Sequence, residues 1–168
     1  MSKLPTNKIW WWLATWFGSG LSPKAPGTAG SLASLPFAYF VQLNFGNFTL
    51  LSASIMVFFA GWWASVQYMK FYPDKHDPKE IVVDEVAAMW LVLAVVVHNP
   101  HNFKMAALLY ILSFALFRFF DAVKPWPISA ADRKVKGGFG VMFDDILAAN
   151  ASIIVYLIGV ALFLRFGV

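Results

Sequence analysis

Two adjacent carboxylates, Asp144 and Asp145, follow a glycine-rich stretch in GGFGVMFDDILAAN (residues 137–150) and precede an uncharged apolar run. A second adjacent pair, Asp84 and Glu85, opens another apolar run, and Asp121 and Asp132 stand at the end of a third and in the loop beyond it. Ionised groups at a hydrocarbon boundary are costly, so such acids either lie outside a membrane or are bound by something. Acids near helix N-termini can complement the dipole and cap free N–H groups, worth about 0.3–1 kcal/mol each. That accounts for one member of each pair. It does not account for both, because helical neighbours point about 100° apart and adjacent like charges repel. Asp121, at a helix C-terminus, opposes the dipole outright. Oxygen-only ligands from several span ends suit a hard cation such as Mg2+, which keeps waters and shares its site with phosphate. Proton relay is the rival reading, and ion pairing with Lys124 and Arg133 the plainest one.

Three further polar stretches could join this chemistry. GSGLSPKAPGTAGSLASLP (residues 18–36) combines glycines, hydroxyls and one cation, Lys24. Its glycines let backbone approach a ligand, and a helix beginning near Thr28 would offer free N–H groups to an anion. An ordinary Gly/Ser/Pro loop is the alternative, and no Gly-Lys-Ser/Thr follows to make it a P-loop. FRFFDAVKPWPI (residues 117–128) joins Arg118, Asp121 and Lys124 to a Pro-Trp-Pro turn that would sit at headgroup level, as an anchor or to hold Lys124 beside Asp121. DRKVKGGFG places Arg133, Lys134 and Lys136 together, either as a solvated patch or as a contact for phosphate or anionic lipid.

The elements that must carry these residues are membrane helices. The 168 residues suit one domain, spanning 1–168, and 60% hydrophobic against 13% charged residues, with a mean hydropathy of +0.64, is wrong for a soluble globule. The absence of cysteine removes disulfides, zinc thiolate sites and a cysteine nucleophile. No basic face suited to nucleic acid is present. Given that about 20 apolar residues cross a core of about 30 Å, five segments are candidates. Residues 48–69 and 146–164 are strong, 103–120 carries Lys104 and Arg118 where both can snorkel, and 81–97 includes Asp84 and Glu85. Residues 30–45 are short and contain Pro36, which points to a kinked or re-entrant segment. Lys3 and Lys8 followed by a Trp-rich stretch at residues 9–17 read as an interfacial helix rather than a signal peptide, whose core is usually aliphatic. The expectation is an all-α membrane bundle of about five segments plus this helix.

With the N-terminus inside, eleven of the thirteen Lys and Arg fall on the inner side, leaving Lys104 and Arg165 outside. This is a positive-inside pattern. All nine acids fall on that same side, and the outer connections near residues 44–47 and 98–102 are too short to build a site. The chemistry is therefore expected on the cytoplasmic face. There, residues 137–140 read as a flexible approach to a metal-holding helix start at lipid-phosphate depth.

Taken together, GSGLSPKAPGTAGSLASLP, HDPKEIVVDEVAAMW, FRFFDAVKPWPI and DRKVKGGFGVMFDDILAA resemble, in order and spacing, the bacterial phosphatidylglycerophosphatase A family across nearly the whole chain. The resemblance implies a multi-span inner-membrane enzyme that uses Mg2+ to convert phosphatidylglycerophosphate to phosphatidylglycerol and phosphate. It puts the family's acidic positions on Asp77, Asp84, Glu85, Asp121, Asp132, Asp144 and Asp145, and its basic position on Lys124. Ala88 and Ala149 stand where the family pattern leads one to expect Gly; both are small enough for close helix packing.

On this reading Asp84, Glu85, Asp121, Asp144 and Asp145 hold one or two Mg2+ ions that bridge phosphate oxygens and activate water. Lys124 and Arg133 clamp the phosphate, Lys24, Thr28 and Ser31 add contacts, and Asp132 is the base or an outer partner. His98 and His101 fall outside and His76 is alone, so a phosphohistidine route is disfavoured, and no Asp-x-Asp supports an aspartyl-phosphate. Two rivals remain. A CDP-alcohol phosphotransferase would want a further Asp at position 148, which is Ala, and a cation transporter would put its charges near the midplane of the spans.

Overall fold

The structure, a computed structural model, describes residues 5–74 and 78–166, and all regular structure among them is helical. In chain order the helices are α1 (Ile9–Ala14), α2 (Pro26–Phe71), α3 (Val83–Val96), α4 (Phe103–Val123), α5 (Ile128–Lys134) and α6 (Gly137–Phe166), with one 3-10 turn at Ser19–Leu21.

The 46-residue α2 is two arms, not one rod. Gly46 has φ 81° and ψ 173°, a backbone position open to glycine and strained for other residues, and the chain reverses there. Hydrogen bonds to α3 give the directions. In the first arm Ser31 meets Glu85 and Gln42 meets the Leu93 carbonyl, so it runs parallel to α3. In the second, Asn47 meets the Val97 carbonyl and Ser54 that of Ala87, so it runs antiparallel. The break expected at Pro36 thus lies at Gly46; Pro36 stands within the first arm, where its missing N–H costs one helical hydrogen bond.

Among the described residues three helices, α2, α4 and α6, are long and apolar enough to cross a membrane. The expected segment at 81–97 is the 14-residue α3, about 21 Å long and shorter than a hydrocarbon core of about 30 Å, which carries the chain from the Glu85 end to the Gly46 end inside the bundle rather than against lipid. It is the buried centre of the bundle. Val86, Met89 and Leu93 are fully covered, and Ala38, Ala88, Ala148 and Ala149 belong to the same core. Lipid is as apolar as these side chains, so the driving force is close packing, which alanine and glycine permit. At the two departures from the family pattern, Ala88 and Ala149 pack at 0% exposure.

Polar groups fix the ends of α3. At its C-terminal end the buried Gln42 amide donates to the Leu93 carbonyl (3.1 Å) and accepts from the Tyr110 hydroxyl (2.6 Å), while Asn47 donates to the Val97 carbonyl (2.6 Å). The Asn47 bond satisfies the Val97 carbonyl at the helix end, where an unpaired group would be expensive inside a bilayer, and the Gln42 bond adds a second donor to the Leu93 carbonyl, which already accepts the Val97 N–H. At the other end α1 packs Trp11 and Ala14 against Tyr68 and Ile81. The expected interfacial helix is therefore six residues long and docked on the bundle.

The last helix starts nine residues before the expected apolar run. Gly138 lies so close to the second arm of α2 that a β-carbon would stand 2.7 Å from Val66, and one on Gly140 would stand 2.2 Å from the Val135 carbonyl oxygen. Gly138 and Gly140 are thus packed into the first turn of α6, with the exposed Gly137 (φ 77°) leading into it, and Asp144 and Asp145 lie two turns inside the helix rather than at its start.

Candidate active site

Where α3 begins, α4 ends and α6 enters the bundle, a cavity of about 280 Å3 is walled by Asp84, Glu85, Asp121, Lys124, Asp132, Lys136, Asp144 and Asp145, with Met69, Val135 and Val141 as apolar lining. Four of its acids, Asp84, Glu85, Asp144 and Asp145, are buried. Cations divide the acids into two sets.

Arg118, one turn before the end of α4, turns its Nη1 onto Glu85 Oε2 and onto Asp121 Oδ2 (2.9 Å). Ser31 Oγ donates to the same Glu85 oxygen at 2.6 Å. The first turn of α2 presses on the other side of this carboxylate, since a β-carbon on Gly27 would stand 1.6 Å from Glu85 Oε1. The glycine is required because backbone and carboxylate share that space, and the α2 N-terminal dipole favours the negative charge there.

Lys124 holds the second set. It caps α4 in the left-handed region, φ 44°, and its ammonium donates to Asp144 Oδ2 (2.6 Å) and Asp132 Oδ1 (2.7 Å). A non-glycine residue in this conformation costs about 1–2 kcal/mol, and such strain tends to collect at functional positions. Burial disfavours the Lys124 ammonium, but the hydrogen bonds to Asp132 and Asp144 outweigh it and hold its pKa above the ordinary lysine value. The Lys124 hydrogen bond in turn holds the Asp132 carboxyl below the usual carboxylate range. Lys136 completes the rim, donating to the Asp132 carbonyl at 3.3 Å.

Among the described residues two carboxylate oxygens of this wall have no partner: Asp144 Oδ1 and Asp145 Oδ2 are buried and accept no hydrogen bond. Among the described residues Asp84 Oδ1 accepts from the Glu85 N–H, at 2.9 Å. Leaving buried acceptors unsatisfied is costly, so this wall is suited to a cation or to donors brought by a ligand. The donors are all oxygens, which fits Mg2+. Among the described residues no three carboxylates already form a closed ligand set. Mg2+ commonly uses only one or two carboxylates and takes its remaining ligands from water and phosphate.

The structure brings together Asp84, Glu85, Asp121, Lys124, Asp132, Asp144 and Asp145, as the sequence leads one to expect. Ser31 joins them from behind, as a partner of Glu85. Lys24, Thr28 and Arg133 do not reach the cavity wall; Lys24 and Arg133 are exposed, and Thr28 is half-buried in the first turn of α2. Asp77 lies outside the described residues. Two cations escape sequence reasoning. Arg118 reads there as a snorkelling residue, although the acid three positions on, Asp121, is a signal for an inward pair. Lys136 is not singled out from a basic run that reads either as a solvated patch or as a contact for phosphate or anionic lipid.

The family model for phosphatidylglycerophosphatase A matches residues 12–160. Phosphatidylglycerophosphatase A of Escherichia coli is 41% identical over 160 residues, 94% of this chain and 88% of the relative. A Bacteroides thetaiotaomicron protein provisionally named phosphatidylinositol-3-phosphatase is 40% identical over 146 residues, 84% of this chain and 87% of its own. Phosphatidylglycerophosphatase A of Haemophilus influenzae is 39% identical over 143 residues, 85% and 83% respectively. No solved structure gives a significant match.

Proposed function

Because the chain belongs to the phosphatidylglycerophosphatase A family, and is a membrane lipid phosphatase that converts phosphatidylglycerophosphate to phosphatidylglycerol, we propose that hydrolysis takes place in the acidic cavity and requires Mg2+. The cavity then faces the cytoplasm from a bacterial inner membrane, as the inner-side bias of Lys and Arg supports. The observation that carries the assignment is Lys124, bonded to Asp144 Oδ2, beside two buried oxygens, Asp144 Oδ1 and Asp145 Oδ2, that have no partner among the described residues, in a cavity whose polar wall comes from α3, α4, α5 and α6.

Hydrolysis needs a water oxygen to attack phosphorus while the ester bond to glycerol breaks and the departing alkoxide gains a proton. Phosphoryl transfer gives the protein little covalent work, so positioning and charge neutralisation dominate. Asp84, Asp144 and Asp145 would hold Mg2+, which when bound neutralises phosphate charge and lowers the pKa of water. Glu85 and Asp121 are already engaged by Arg118 and shape the wall. Lys124 lies beside the free edge of Asp144 and can turn its ammonium to a phosphate oxygen, with Lys136 on the rim as a second cation. Asp132 holds Lys124 in place. With its carboxyl held below the usual range it is a poor base, so positioning is the role that fits.

The test is phosphate release by purified protein from phosphatidylglycerophosphate in detergent micelles, with phosphatidylinositol 3-phosphate as comparison substrate. EDTA should abolish release and excess Mg2+ should restore it, and titration calorimetry should show Mg2+ binding without substrate. Full activity in metal-free buffer would remove the metal from this account.

A further inference from the structure

The two lysines that line the acidic cavity are held at different depths and in different ways. Lys124 is tied to two carboxylates, the buried Asp144 at 2.6 Å and Asp132 at 2.7 Å. Lys136 lies one step further out. It is exposed, and its hydrogen bond among the described residues is a long one, 3.3 Å, to the neutral carbonyl of Asp132. An ammonium carries three donors, so most of the capacity of Lys136 is open to a ligand.

Electrostatics explain why a cation is needed at this place. Among the described residues the cavity wall holds six acids and two lysines, so an anionic headgroup meets net negative charge as it enters. Lys136 immediately precedes α6, and Gly137 at the start of that helix lines the same wall, so the positive end of the helix dipole adds to the ammonium at the rim.

The chemistry of the substrate fixes what passes the rim. Acyl chains gain nothing from a wall of charged groups and stay in the bilayer, so only the headgroup enters. In phosphatidylglycerophosphate one glycerol separates the terminal phosphate from the phosphodiester that joins the headgroup to the diacylglycerol. With the terminal phosphate at Lys124, Asp144 and Asp145, the diester lies one glycerol nearer the outside. Lys136 is likewise displaced outward from Lys124 by a single residue, Asp132, which both lysines contact.

Building on the lipid-phosphatase reading, we propose that Lys136 recognises the phosphodiester of the substrate, making the cavity a site for headgroups with two phosphates rather than for any lipid phosphomonoester. Lys124 meets the phosphate that leaves and Lys136 the one that stays. The diester keeps its charge throughout the reaction, so Lys136 binds ground state and transition state alike and acts on KM rather than kcat.

The two products report the two positions separately, since phosphatidylglycerol retains the diester and inorganic phosphate is the group released. Phosphate release from phosphatidylglycerophosphate in detergent micelles is measured for wild type and Lys136→Gln, with each product as inhibitor. Lys136→Gln should raise KM for the substrate and Ki for phosphatidylglycerol by about tenfold, the size of one lost charge-assisted hydrogen bond. It should leave kcat within about threefold and Ki for inorganic phosphate unchanged. Lys136→Arg, which keeps the charge, should stay near wild type in both. Lys134→Gln removes an exposed charge two residues away that does not line the cavity, and should change neither. Wild type that phosphatidylglycerol does not inhibit, a Ki for phosphatidylglycerol unmoved by Lys136→Gln, or an equal rise in Ki for phosphate would each overturn the assignment. The same changes in Lys134→Gln would overturn it too, by reducing Lys136 to general surface charge. Release by wild type tests the parent reading by itself: release with an unmoved Ki sinks the diester contact alone, and no release sinks both.

Discussion

Replacing Lys124 with glutamine isolates the one cation that joins both sides of the cavity. The substitution keeps a β-carbon, so the left-handed backbone at φ 44° is strained to the same degree in both proteins and the difference read is the charge. The contact to Asp144 is 2.6 Å, with side chains 31% and 9% exposed, and that to Asp132 is 2.7 Å, with Asp132 46% exposed. An exposed pair contributes about 0–1 kcal/mol, and breaking a fully buried one costs about 3–5 kcal/mol. The half-buried Asp144 contact falls between, so the loss in stability should be about 1–3 kcal/mol, or a few degrees in melting temperature at about 2–4 °C per kcal/mol. Catalysis should suffer more. Loss of one preorganised group from a phosphoryl-transfer site lowers kcat by about 10²–10³-fold. Phosphate release under saturating substrate, with melting followed by tryptophan fluorescence in the same detergent, separates the two effects. A variant that melts lower but keeps kcat within about threefold of wild type would refute the placement of Lys124 at the phosphate.

Other consequences of the site can be checked in the same preparation. Gly27→Ala puts a β-carbon where Glu85 Oε1 lies, so turnover should fall by at least about tenfold, although alanine favours a helix by up to about 1 kcal/mol over glycine. Unchanged turnover would show that Glu85 can move freely. The raised Lys124 pKa stabilises the fold below the ordinary lysine value of about 10.4 and ceases to do so as pH climbs through the folded-state value. The lowered Asp132 pKa stabilises it above about 3.9 and ceases to do so as pH falls through its own folded-state value. Both charges therefore persist from about pH 5 to 9, and the activity ratio of wild type to Lys124→Gln should be flat across that window. A ratio that titrates near neutrality would mean that Lys124 is not held as the ammonium.

Much of the site is legible in the sequence because charge in an apolar chain has few places to go. Asp84, Glu85, Asp121, Asp144 and Asp145 stand out as acids at the edges of apolar runs, and the cost of burying them implies convergence. Long range was harder to read. The buried role of α3 is invisible in its composition, since a 14-residue apolar helix reads alike as half a span or as a core element. The reversal at Gly46 is carried by one glycine and by Gln42 and Asn47, which look like ordinary loop polarity until their partners on α3 are known. Glycines 27, 138 and 140 suggest flexibility or phosphate binding, yet each makes room for a contact from another element, which no local pattern encodes. Arg118 and Lys136 were masked for the same reason: snorkelling and solvated cations have the same spacing as inward ones.

Asp145 is the most direct witness to the central claim that the acidic cavity is the reaction centre. It is buried, one of its oxygens has no partner among the described residues, and Asn matches its shape while removing its charge. Phosphate release from phosphatidylglycerophosphate by wild type and Asp145→Asn, in vesicles with equal amounts of inserted protein, is the measurement. The account predicts loss of at least about 100-fold in turnover with weakened Mg2+ binding and an intact bundle. Wild-type turnover by Asp145→Asn would contradict it.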